Sequence, residues 1–121
     1  MKKLIFIIAI VFPFFCSSQI SSAFRAGNYV ESSKYLGNIV RLNWLGDESQ
    51  ASSLEVTNKL KELFELCEVE NFRIIHDGES DSGLQYAMGE LFCKEGAYSI
   101  TYYYTTKNAT EIIEELIIEK K

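Results

Sequence analysis

The 121-residue sequence predicts one domain in which helices come first and turn-linked strands come last. Three observations predict it. Val56, Leu60, Leu63, Phe64 and Cys67 share one helical face, while Asn58, Lys59, Lys61, Glu62 and Glu65 take the other. Val40, Leu42 and Trp44 alternate with Arg41 and Asn43 at the period of a half-buried strand. The last third is rich in strand-favouring residues, with Tyr102, Tyr103 and Tyr104 among Thr101, Thr105 and Thr106, and is broken by turns such as Glu95-Gly96 and Lys107-Asn108.

In chain order, Ile20 to Ala26 carries apolar residues at 20, 23 and 24 and reads as a short helix closed by Gly27-Asn28. Tyr29 to Leu36 predicts a second helix ending before Gly37, and Ile39 to Leu45 predicts a strand. Gly46 to Ser53 is polar and reads as a loop. Ser52 followed three residues later by Glu55 is a capping-box signature for the amphipathic helix. Strands follow at Asn71 to Asp77, Leu84 to Cys93 and Tyr98 to Thr105. Periodicity leaves Thr110 to Glu119 open, since Ile112, Ile113, Leu116 and Ile117 suit a helix while Ile112, Leu116 and Ile118 suit a strand.

The N-terminus predicts an address. Lys2 and Lys3 precede the apolar run Leu4 to Phe15, and the small residues Cys16, Ser17 and Ser18 follow, the order of a secretory signal. The run is twelve residues, whereas a membrane-spanning helix needs about 20, so the expectation is cleavage before Gln19 with no transmembrane span in the mature chain. Residues 1–18 are then the signal and 19–121 a single secreted or periplasmic domain. Lipidation at Cys16 is the alternative, disfavoured by the bulky Phe14 and Phe15 beside it. Loss of Lys2 and Lys3 leaves 10 basic residues against 17 acidic, a formal charge of −7, which disfavours nucleic acid and anionic lipid as partners.

Cys67 and Cys93 remain in the mature chain, where a disulfide could persist. Each sits among apolar residues, and the reading favours two separate buried thiols. With His76 they match no compact zinc pattern, and no metal or other cofactor is expected. Asp77, Glu79 and Asp81 fail as a calcium loop, because Gly83 falls one place late and Met88 stands where a bidentate Glu is needed. Asn108-Ala109-Thr110 matches a glycosylation acceptor but reads as turn chemistry.

The order of landmarks resembles a family of small secreted bacterial proteins described as domain of unknown function 4783. Ala23-Phe24-Arg25-Ala26-Gly27-Asn28 with Ser33-Lys34-Tyr35-Leu36 resembles its opening helix pair. The helix ending at Phe64, then Tyr86-Ala87-Met88-Gly89-Glu90-Leu91, then Leu116-Ile117-Ile118-Glu119-Lys120 resemble its later landmarks in order and spacing. The resemblance implies an α+β fold similar to nuclear transport factor 2 (cystatin-like), a cone in which helices pack on a curved antiparallel sheet, with residues 110–119 as the final strand. It brings no known activity.

Two function classes follow. The first is a noncatalytic domain binding a small apolar ligand or a protein partner, such as another envelope protein or a second copy docked through the sheet. Trp44, Tyr86, Tyr102 and Tyr104 are its ligand-binding candidates, because aromatic side chains offer both apolar area and polar tips. The alternative is an acid/base enzyme resembling ketosteroid isomerase or polyketide cyclase. There His76 or Asp77 would be the base, only one of the two neighbours entering the cone, with Tyr86, Tyr102 or Tyr104 donating to a developing anion.

Overall fold

The computed structural model describes residues 19–121. The expected signal segment and Cys16 lie outside the described residues. Helix α1 spans Gln19–Arg25 and stops where Gly27 turns left-handed at φ +63°, its N–H donating to the Phe24 carbonyl and that of Asn28 to the Ala23 carbonyl. Asn28 then caps α2, Tyr29–Ser33, by accepting the Glu31 N–H at 3.0 Å. This helix is shorter than the sequence predicts. The Tyr35 carbonyl instead accepts the Ile113 N–H, and Leu36 pairs with Ile113, so strand pairing claims the residues that would have continued the helix.

Strand β1 is Leu36–Trp44 and β2 is Asp47–Ser52, joined antiparallel through Leu45 and Gly46, both at positive φ as a tight two-residue hairpin turn requires. The expected loop from Gly46 to Ser53 is thus largely a strand. Only Ala51 of β2 is buried, so this edge strand has no apolar alternation for sequence reading to find. Helix α3, Ser53–Cys67, opens on the predicted capping box: Glu55 N–H donates to Ser52 Oγ, and Ser52 N–H donates to Glu55 Oε1. Its buried face is the predicted one, Val56, Leu60, Leu63, Phe64 and Cys67.

Strands β3 (Val69–Glu79), β4 (Gln85–Cys93), β5 (Gly96–Lys107) and β6 (Thr110–Lys120) complete a six-stranded sheet of order β2-β1-β6-β5-β4-β3. The last segment is a strand, burying Ile113, Leu116 and Ile118. All neighbours are antiparallel except β1 and β6, which run parallel, so the sheet departs there from the antiparallel expectation.

The helices cover one face, here the inner face. Phe24 of α1 is fully buried, its ring edge-on to Phe64 of α3 and to Phe72 and Tyr102 of the sheet at 5.4–6.1 Å between centroids. Val40, Leu42, Leu91, Ile100, Leu116 and Ile118 extend that core. Cys67 and Cys93 are joined in a disulfide, which corrects the expectation of separate thiols. The cause is register: Val69, just past α3, pairs with Cys93 at the end of β4, and this brings the two Cα atoms within 4.8 Å.

Candidate functional site

The direction of each side chain on β3 is decided by one extra residue. Phe72 and Ile74 stand opposite Leu91 and Gly89 on the inner face, and the pairing then shifts, so that His76 meets Met88 and Asp77 meets Ala87. Ile75 is the inserted position of this bulge. Simple alternation from Ile74 would send His76 inward, whereas the insertion sends Asp77 inward and His76 to the outer face.

Across the inner face, register then builds two rows. Asp77, Ala87 and Tyr102 form one, and Glu79, Gln85 and Tyr104 the next. Asp77, Gly78, Glu79, Gln85 and Tyr104 line an open recess of about 420 Å³ at the end of the sheet. Tyr102 lies beside it with its side chain buried, 3% exposed, its ring 5.5 Å from that of Tyr104. Burial pushes the Tyr102 hydroxyl far above the usual phenol range, and the neighbouring Glu111, Tyr104 and Asp77 add to this while Arg25 opposes it. Tyr104 is shifted the same way by burial, Glu111 and Asp77. Glu111 is itself buried: desolvation raises its carboxyl, and the Ile20 N–H donated to Oε1 at 3.1 Å partly offsets that.

The other candidates lie elsewhere. His76 Nε2 and Tyr86 Oη are 2.7 Å apart on the outer face, and the Tyr86 ring lies 5.8 Å from Tyr103. The structure therefore gives His76 a tyrosine hydroxyl, but outside the recess. Trp44 packs against the core, with Lys59 Nζ 5.8 Å from its ring centroid. Of the sequence candidates, Asp77 and Tyr104 meet in the recess and Tyr102 adjoins it. Glu79, Gln85 and Glu111 were not foreseen, although a two-residue step from Asp77 reaches Glu79.

The profile of the family described as Domain of unknown function (DUF4783) matches residues 17–119. The chain belongs to that family. Crystal structures of DUF4783 proteins share its fold. The protein from Bacteroides ovatus is 24% identical, with a TM-score of 0.77 over 86% of this chain and 94% of its own. The one from Bacteroides uniformis is 23% identical, with a TM-score of 0.77 over 87% and 96%. More distant is an NTF2-like protein of unknown function from Cytophaga hutchinsonii, at 10% identity and a TM-score of 0.58 over 88% and 87%. These likenesses support the α+β, NTF2-like fold of the DUF4783 chain and leave its activity to its own residues. Among curated proteins, none matches the sequence.

Proposed function

We propose that this DUF4783 chain is a noncatalytic extracytoplasmic domain that binds a small polar ligand at the open end of its inner face. The observation that carries the reading is the meeting of Asp77 and Tyr104 in one recess. An apolar ligand fits less well than first expected, because Phe24 occupies the aromatic interior among Phe64, Phe72 and Tyr102. The enzyme alternative meets an electrostatic obstacle. Stabilising a developing oxyanion needs a site that favours negative charge, yet Glu111 and Asp77 oppose negative charge at the Tyr102 hydroxyl. The disulfide supports the extracytoplasmic address, since such bonds persist in oxidising compartments.

Native mass spectrometry of the protein from its own host tests the reading. The expected species begins at Gln19 and carries a noncovalent mass that is absent from Glu79→Lys, a change at an exposed position. A bare wild-type chain, or a mass retained by the variant, contradicts the site. A lipidated species beginning at Cys16 contradicts the signal cleavage.

A second reading rests on the outer face, where Tyr86, Met88, Phe92, Tyr103 and Ile117 are only half-buried and none of the described helices lies over them. This apolar band suits a homodimer formed through the sheet. Sedimentation at high concentration is expected to show a dimer that Met88→Lys dissociates; a monomeric wild type removes this reading.

A further inference from the structure

Glu111 is a carboxylate that the fold buries without giving it a cation. It is 4% exposed, and no salt bridge among the described residues includes it. Its Oε1 accepts the Ile20 N–H at 3.1 Å. Tyr102 and Tyr104 of β5, the titratable groups whose charge couples to it, are phenols held neutral by burial first and by Glu111 second, so neither supplies a cation. Arg25, at the far end of α1, donates its Nε–H to the Phe72 carbonyl at 3.1 Å. A carboxylate ionised in such a place is costly, because one neutral donor replaces only part of its hydration.

The same corner fixes residue 19. Gln19 Nε2–H donates to the Ala109 carbonyl at 2.9 Å and the Glu111 N–H donates to Gln19 Oε1 at 3.0 Å, so this side-chain amide clasps the turn between β5 and β6. Backbone nitrogens of neighbouring residues lie closer together than their Cα atoms, which are about 3.8 Å apart. The Gln19 nitrogen is therefore within about 7 Å of the oxygen that takes the Ile20 N–H. While residue 18 is attached, that nitrogen is a neutral amide. Hydrolysis of the 18–19 bond adds water across it, leaves a carboxylate on the departing segment and frees a primary amine on Gln19, mostly protonated at about pH 7.

We infer that signal cleavage before Gln19 completes this corner electrostatically: the new α-ammonium becomes the counter-charge of buried Glu111 and offsets part of the cost of its ionisation, so the mature domain is more stable than its precursor. The clasp holds the amine in place and keeps the Gln19 amide from closing onto it as a lactam, a step that would expel ammonia and break the bond to Ala109. The inference rests on the proposed cleavage site, and the test separates the two claims because recombinant chains fix their own terminus. A chain beginning at Gln19 with a free amine, and the same chain acetylated at that amine alone, are unfolded in urea, each with and without Glu111→Gln. The free amine is expected to lower the unfolding equilibrium constant about threefold or more at about pH 7, with no difference in Glu111→Gln. Its titration, read from the Gln19 Cα shift, is expected above the ordinary 7.7–8.0 or so, and within that range in Glu111→Gln. A raised amine contributes below its ordinary value and loses the contribution as pH rises through the raised one, so the difference is expected to vanish by about pH 10. Equal stability of the two chains, a difference that survives Glu111→Gln, or a free-amine chain lighter by one ammonia would each overturn the pairing. A host protein beginning elsewhere than Gln19 overturns the maturation step, whatever the recombinant chains show.

Discussion

The Phe72 ring lies so close over Gly89 that a Cβ at residue 89 would stand 2.4 Å from Phe72 Cζ and 3.0 Å from the Arg73 carbonyl oxygen. Gly89 and Phe72 belong to adjacent strands on the inner face, and Phe72 is pressed in turn by Phe24. The glycine is the space that the Phe72 ring occupies over β4. Gly89→Ala is therefore expected to force Phe72 from its position and to cost about 1–3 kcal/mol, read from urea denaturation. A variant as stable as the wild type would show that the ring can move freely.

The disulfide ties the end of α3 to the end of β4 across 26 residues of chain. A loop of that length corresponds to about 3–4 kcal/mol in the chain-entropy treatment. The double variant Cys67→Ala, Cys93→Ala is expected to lose stability of that order in thermal or denaturant unfolding. Free-thiol titration of the unfolded, unreduced wild type is expected to find neither cysteine reactive. Two reactive thiols would contradict the pairing.

Glu111 sets a pH dependence. Its carboxyl is raised in the folded chain, chiefly by burial, above the ordinary 4.5. The folded state thus holds this proton more tightly than the unfolded state, and the contribution to stability falls as pH rises from the ordinary value through the raised one. Glu111→Gln keeps an acceptor for the Ile20 N–H and has no charge to bury. Its stability relative to the wild type is expected to increase between about pH 4 and about pH 7. Parallel stability curves for the two proteins would contradict the assignment.

The capping box at the start of α3 joins Ser52 and Glu55 reciprocally. Ser52→Ala leaves the Glu55 N–H without its acceptor and is expected to cost about 1 kcal/mol in denaturant unfolding. An unchanged midpoint would mean that solvent replaces the cap without loss.

What was legible in the sequence follows the length scale of each interaction. The Ser52 to Glu55 box and the stripe from Val56 to Cys67 are local, and both appear where the residues say. Strand β2 was not legible, because Asp47 to Ser52 is held by backbone pairing to β1 with a single buried side chain. The disulfide depends on where Val69 meets Cys93, a registration that composition does not encode. The site was half legible. Period two says that one of His76 and Asp77 turns inward, but the bulge at Ile75 decides that it is Asp77, and only the β4 and β5 registers bring Gln85 and Tyr104 beside it. The expectation of a strand over Thr110 to Glu119 rests on the family resemblance, since its isoleucines satisfy both periods.

The central claim, that ligand enters at the Asp77 end of the inner face, is tested most directly by an amide shift map of the ¹⁵N-labelled protein on adding the small-molecule extract of its host's envelope. The account predicts shifts confined to residues 77–79, Gln85 and Tyr104. Shifts centred on Tyr86, Met88 and Tyr103 of the outer face, or no shifts at all, would contradict it.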